Sequence, residues 1–187
     1  QINQKWQVDE AAIIMNASHT HSGPQTSYDF LTALGEPDDD YLAYLEARLL
    51  EAVAEAYNNL EAVTVERAHG ECRVGIHRRR QIDGKFVNAP NPEGPIDPEV
   101  TVFRFQRVGE QAASRESNNG TKAVWFHYTC HTTVMGEFTV SSEFTGVAME
   151  RIEQALKEQE AVAAFFQGTC GDVRPALVNG ERFYRGN

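Results

Sequence analysis

No stretch of the 187 residues approaches the roughly 18 consecutive apolar residues that a membrane-spanning helix requires. The opening, QINQKWQVDE, lacks the charged-then-apolar layout of a secretory signal. A soluble chain without a transmembrane segment is expected. Basic residues are scarce, 17 Lys and Arg against 27 Asp and Glu, and the resulting net charge of -10 repels phosphate backbones and anionic headgroups. Nucleic acid is therefore not an expected partner. Cysteine is scarce too. Cys72, Cys130 and Cys170 are too few and too widely spaced for a disulfide scaffold, and their odd number leaves at least one thiol free. That usage fits a reducing compartment, and the cytoplasm is the expected location. There is no internal repeat and no low-complexity tract. The sequence starts on Gln1 rather than Met, so a piece of a longer chain is expected.

What remains is ordinary for a folded domain. With 41% hydrophobic and 24% charged residues, the chain can bury one sizeable core, and residues 1–187 read as a single domain. The short apolar run AAIIMNAS (11–18) reads as a buried strand that delivers His19 and His21 to its end. DDDYLAYLEARLLEAVAEAYNNL (38–60) repeats apolar residues every three or four positions behind an acidic N-terminus, which predicts a helix. Alternation over 62–78 predicts one long strand or two short ones around Gly70, and VTVFRF (100–105) predicts another. The intervening QIDGKFVNAPNPEGPIDPE, with four prolines, reads as a long loop, and 107–122 as a polar connection. AVWFHYTC (123–130) is the strongest strand signal. A helix follows over 141–160, then a strand that runs into a glycine-flanked turn over 161–172. Strands exchanging with helices predict an α/β fold, a layered domain with a mixed β-sheet flanked by helices.

The chemistry-bearing residues gather at three expected strand ends. In ASHTHSGP (17–24), His19 and His21 share a face if the strand continues, so they can converge on one ion or substrate. The same pattern also fits one solvated and one hydrogen-bonded histidine. In FHYTCHTTVMG (126–136), His127 lies inside the apolar strand and reads as a core histidine. His131 stands where the strand gives way, beside Thr132, Thr133 and Gly136, and is the better metal ligand. In FFQGTCGDVRP (165–175), Gly168 and Gly171 permit close backbone approach, and Asp172 can orient an imidazole or receive a proton. Cys170 is a nucleophile if a histidine lies beside it, and otherwise an inert turn residue.

SHTHSGP, VWFHYTCHTTVM and GDVRP, in that order, resemble the N-terminal catalytic domain of the neutral/alkaline ceramidases. The resemblance runs over about residues 10–178. It implies a zinc-dependent hydrolase of N-acyl amides in which His19 and His131 are zinc ligands and His21 faces the substrate. It also maps a site-lining arginine of the family onto Arg78 of GIHR. Two departures accompany it. The family's GDVSPN carries a serine where this chain has Arg174, which puts ceramide as the substrate in question. The family's remaining zinc ligands, a glutamate and a tyrosine, lie beyond the residues present here, so other ligands of the single zinc ion are expected outside this segment.

The expected function is hydrolysis of an amide bond in a small-molecule or lipid-like substrate. His21, helped by Asp172, moves a proton, and Arg78 or Arg174 holds an anionic part of the substrate. The alternatives are a non-catalytic ligand-binding domain of the same fold and a cysteine-nucleophile amidase using Cys170. Arg174 either points into the cleft or forms a surface ion pair, for example with Glu181.

Overall fold

A computed structural model describes residues 1–29, 35–108, 120–135, 139–180 and 182–183. They fall into two packed units. Gln1–Met15 and Gly23–Glu61 form one, and Asn16–Ser22 and Ala62–Asn187 the other, which holds every candidate site residue.

In the first unit, α1 (Ile2–Trp6) meets α2 (Asp39–Asn58) through the Trp6 and Tyr57 rings, 6.3 Å apart. The acidic run sets the start of α2 as predicted. The Asp38 carboxylate accepts from the Tyr41 N–H at 2.9 Å, and Asp39 and Asp40 occupy the first turn, where negative charge suits the helix dipole.

The strand predicted over 11–18 is not formed. Asp9 caps a 3-10 turn at Glu10–Ala12 instead, and Ile14 and Met15 are 78% and 84% exposed. In the second unit, the Asn16 side chain takes the place of a strand backbone. Its Oδ1 accepts from the Gln167 N–H at 2.9 Å, and its Nδ2 donates to the Gln167 carbonyl at 3.3 Å. A short apolar run is ambiguous by periodicity alone, and here a side-chain amide makes the pairing that a strand would have made.

The second unit is built from β1 (Val63–Glu71), β2 (Gly75–Ile82), β3 (Lys85–Asn91), β4 (Glu99–Arg107), β5 (Thr121–Tyr128), α3 (Glu143–Ala155), β6 (Val162–Gln167), β7 (Val173–Pro175), β8 (Val178–Asn179) and β9 (Arg182–Phe183). The main sheet has the order β1-β4-β5-β6, with antiparallel pairs up to β5 and a parallel β5–β6 pair. α3 makes the connection between that parallel pair and lays Phe144 against Phe165 of β6. This is a mixed sheet within an α/β fold, as the alternation of elements predicts. A second, antiparallel sheet has the order β3-β2-β7, and β8 pairs with β9.

Three sequence expectations change. The supposed loop over 81–99 holds β3, joined to β2 by a two-residue Asp83-Gly84 turn with φ of 50° and 75°. Asp-Gly is the signature of the type I′ turn whose twist matches a hairpin, and the prolines downstream masked it. The β1–β2 break falls at residues 72–74 rather than at Gly70, which pairs with Val100. α3 ends at Ala155 and gives way to a 3-10 turn at Lys157–Gln159. Of the polar connection, residues 109–119 lie outside the described residues.

The two sheets are tied together at the core of Tyr128, Cys130 and Val173. The Tyr128 hydroxyl donates to the Cys72 carbonyl at 3.0 Å and accepts from the Gly75 N–H at 3.2 Å. Gly75 is required there, because a Cβ would lie 2.7 Å from Val173 Cγ1. Register does the rest. Ile76 pairs with Arg174 and His77 with Val173, so GIHR and GDVRP, nearly a hundred residues apart in sequence, become neighbours.

Candidate metal centre

Three irregular segments converge within the second unit, two of them at strand ends, after β5 and after β6. Residues 18–22 are laced to the segment after β5, where Thr132 Oγ1 donates to the Ser18 carbonyl at 2.7 Å and the His21 N–H donates to the Thr132 carbonyl at 3.3 Å. They are also tied to the start of α3, since Thr20 Oγ1 donates to the Ser141 carbonyl and the Ser141 N–H to the Ser22 carbonyl, at 3.2 and 2.8 Å. His131 joins the third segment through its N–H, which donates to the Val173 carbonyl at 3.0 Å. His19 has φ of 57°, a left-handed conformation uncommon for a side-chain-bearing residue, and strain of this kind clusters at functional sites.

The three imidazoles meet at their Nε2 atoms. His19 Nε2 lies 3.1 Å from His131 Nε2 and 3.3 Å from His21 Nε2, with the rings edge-on to one another. The His131 tautomer follows from its surroundings. Its Nδ1–H points at the carbonyls of Cys170 and, at 3.1 Å, of Val173, so the Nε2 lone pair faces His19. Two ring nitrogens this close repel unless a proton or a cation lies between them. Tetrahedral zinc, with Zn–N near 2.0–2.1 Å, holds its nitrogens about 3.3 Å apart. The carbonyl-bound Nδ1 is also the outer-shell arrangement that orients metal-binding histidines. These donors fit a zinc ion.

Electrostatics favour the neutral form of His131 and of His21. His131 is 3% exposed, and burial first, then the nearby Arg78 guanidinium, push its pKa down to about 4. Burial and the His19 ring lower that of His21, and Arg78 and Arg174 add to the effect. Neutral imidazoles are the form that binds metal.

The remaining sequence candidates are placed as follows. Arg78 stands beside the histidines, with its Nε donating to the Gly171 carbonyl at 3.0 Å. Asp172 lies 3.4 Å from His77 Nε2, so among the described residues the imidazole at ion-pair distance from it is His77 rather than His21. Arg174 is 5% exposed. Its Nη2 donates to the Thr133 carbonyl at 2.8 Å, and its guanidinium stacks over Phe183 at 4.3 Å. It also lines a cavity of about 370 Å³ with Arg80, Asn88 and Arg182. Glu181 and Gly136 lie outside the described residues.

His127 is half-buried in β5, and its Nε2 would lie 2.7 Å from a Cβ placed on Gly168. Gly168 therefore makes room for His127 and Thr129, while a Cβ on Gly171 would meet nothing within 4 Å. Cys170 is buried, and burial pushes its thiol pKa up, the opposite of what a nucleophilic cysteine needs. Its thiol nevertheless belongs with His19 and His131, the three ligand atoms lying within 4.8 Å of one another.

Glu143, which the spacing of the sequence does not flag, is a buried carboxylate at the start of α3. It accepts from the backbone N–H groups of Val134 and Met135 at 2.9 and 3.1 Å, and from Ser22 Oγ at 3.4 Å. The pairing with the apolar sequence VM just after His131 can be seen only in three dimensions.

No protein-family model matches the chain, and no curated protein does. Among solved structures, it is similar to the neutral ceramidase from Pseudomonas aeruginosa, with a TM-score of 0.65 and 22% identity, over 86% of this chain. The chain spans 25% of the length of that protein. At this identity the likeness shows the fold alone, a ceramidase-like fold.

Proposed function

We propose that this unit carries the metal-binding half of an amide-hydrolase site, with zinc held by His19 and His131. The observation that carries the reading is the 3.1 Å approach of the His19 and His131 Nε2 atoms, with His131 Nδ1 committed to backbone carbonyls. The ceramidase-like fold supports hydrolysis of an N-acyl amide as the reaction. When bound, the ion supplies the Lewis acidity that makes water nucleophilic near neutral pH and polarises the scissile carbonyl.

The chain's own residues supply the rest. His21, exposed and neutral, accepts the proton of the attacking water and returns it to the leaving amine. Asp172 positions His77, which directly precedes Arg78 in β2, and the Arg78 Nε donates to the carbonyl of the neighbouring Gly171. Arg78 and Arg174 place positive charge next to the histidines, where it binds a carboxylate or phosphate on the substrate. An apolar cavity of about 750 Å³, lined by Val102, Phe126, Val134, Phe144, Ile152 and Leu177 among others, suits the hydrocarbon part of a lipid-like amide.

Hydrolysis of N-acyl amides by the full-length enzyme tests this. Activity is expected to vanish on chelation, to return with zinc, and to be insensitive to iodoacetamide while zinc is bound. Chelator-resistant turnover abolished by alkylation would instead establish the cysteine mechanism. Ligand binding without turnover of any amide would establish a binding domain. Arg174→Ser is expected to weaken hydrolysis of acidic N-acyl substrates about tenfold or more, with little change for uncharged ones. Equal kinetics on both classes before and after the substitution would remove the anionic-substrate assignment.

A further inference from the structure

Both ring nitrogens of His77 are committed within the protein, which leaves neither a lone pair nor a proton facing a substrate. Its Nδ1 accepts from the Arg79 N–H at 3.2 Å and from Asn91 Nδ2 at 3.4 Å. The ring proton is therefore on Nε2, 3.4 Å from the Asp172 carboxylate. Asn91 is itself fixed, because its Nδ2 also donates to the Arg79 carbonyl at 2.9 Å. The ring packs against Gly94, where a Cβ would come within 2.4 Å of His77 Cγ, so only glycine leaves that space.

This clamp sits where β2 turns irregular. His77 pairs with Val173 of β7 and with Asn91 of β3, and the register with β3 shifts between His77 and Arg79, that is, at Arg78. Irregularities of this kind re-aim a side chain. The Arg78 N–H donates to the Asp172 carbonyl at 2.7 Å and its Nε to the Gly171 carbonyl at 3.0 Å, where Arg79 Nη2 also donates at 3.3 Å. After burial, the Arg78 guanidinium is what lowers the His131 pKa, so its charge reaches the metal centre.

We infer that His77 is the positioning residue for Arg78: held by Asp172, Asn91 and Gly94, it fixes the irregularity in β2 that aims the guanidinium at an acidic N-acyl substrate. Asp172 thus acts on the reaction through His77 and Arg78 and not through His21. The inference rests on the role given to Arg78 above.

Two measurements on the full-length chain test it, the first without reference to turnover. Phenylglyoxal modification of Arg78, followed by peptide mass spectrometry, is expected to be slow in the wild type and about tenfold faster in His77→Ala. His77→Gln should restore most of the protection, because its amide still donates to Asp172. Gly94→Ala removes no polar group but drives a methyl into the ring, so it should release Arg78 in the same way, and it serves if His77→Ala folds poorly. Arg48, half-exposed on α2, is the reference site and should react equally in all variants.

The second measurement is a double-mutant cycle on hydrolysis of an acidic N-acyl amide. His77→Ala is expected to lower kcat/KM about tenfold or more with Arg78 present and to have no further effect in Arg78→Ala. Unchanged Arg78 labelling in His77→Ala or Gly94→Ala, or an equal kinetic loss in both backgrounds, would overturn the positioning role. Absence of any hydrolysis by the wild type would remove the proposed reaction, and the labelling alone would then decide the clamp.

Discussion

Replacing Glu143 by alanine is expected to cost roughly 3–5 kcal/mol of folding stability, a large fraction of what a domain of this size possesses. The carboxylate is 5% exposed and is the acceptor for three donors, the Val134 and Met135 N–H groups and Ser22 Oγ. Truncation leaves two part-buried backbone donors without these partners, and an orphaned donor shielded from water costs about 1–3 kcal/mol. The loss also reaches the metal centre. Ser22 closes the segment that carries His19 and His21, and Val134 lies three residues beyond His131. Urea denaturation should therefore show a lower midpoint for Glu143→Ala, with Glu143→Gln intermediate, because the amide keeps one acceptor oxygen but turns an N–H toward another donor. A midpoint change worth less than about 0.5 kcal/mol in Glu143→Ala would show that the carboxylate is not holding these segments.

Acidification is expected to destabilise the metal-free protein through His131. Its folded pKa of about 4 lies below the ordinary value of 6.5, so the unfolded chain binds the proton more readily. The sign follows directly. The contribution is complete above pH 6.5, declines as the pH falls below that value, and is lost once the pH passes below about 4. Its size is roughly 3 kcal/mol. Carboxylates titrate in the same range, so the comparison that isolates the histidine is wild type against His131→Gln, followed by chemical denaturation between pH 7 and pH 4 in the presence of chelator. The variant should show the shallower decline. Parallel profiles would mean that His131 carries no depressed pKa.

Much of the fold was legible because its signals are local. The acidic start and three-or-four spacing of α2, the apolar VWFHY of β5 and the strand over Val162–Gln167 depend on neighbours in sequence, and each stands where the pattern puts it. The failures are places where tertiary partners decide. Residues 11–18 have the composition of a strand, yet Asn16 completes the edge of β6 with its side chain. The Asp-Gly turn between β2 and β3 was present in the sequence and obscured by prolines belonging to the next connection.

The site divides in the same way. His19, His21 and His131 carry a motif, and the structure brings their rings together. Which group each one faces is set by long-range contacts that no spacing encodes, such as the carbonyls of Cys170 and Val173 on His131 Nδ1 and the Arg78 guanidinium beside the rings. Glu143 and the pairing of Asp172 with His77 depend on how the β7 register and the start of α3 fall.

The most direct test of the central claim is calorimetric titration of the chelator-stripped full chain with zinc. One ion per chain is expected in the wild type, and His19→Ala and His131→Ala should each abolish binding while retaining the far-ultraviolet signature of the fold. Zinc bound with the same stoichiometry and affinity by the wild type and both variants would contradict the account.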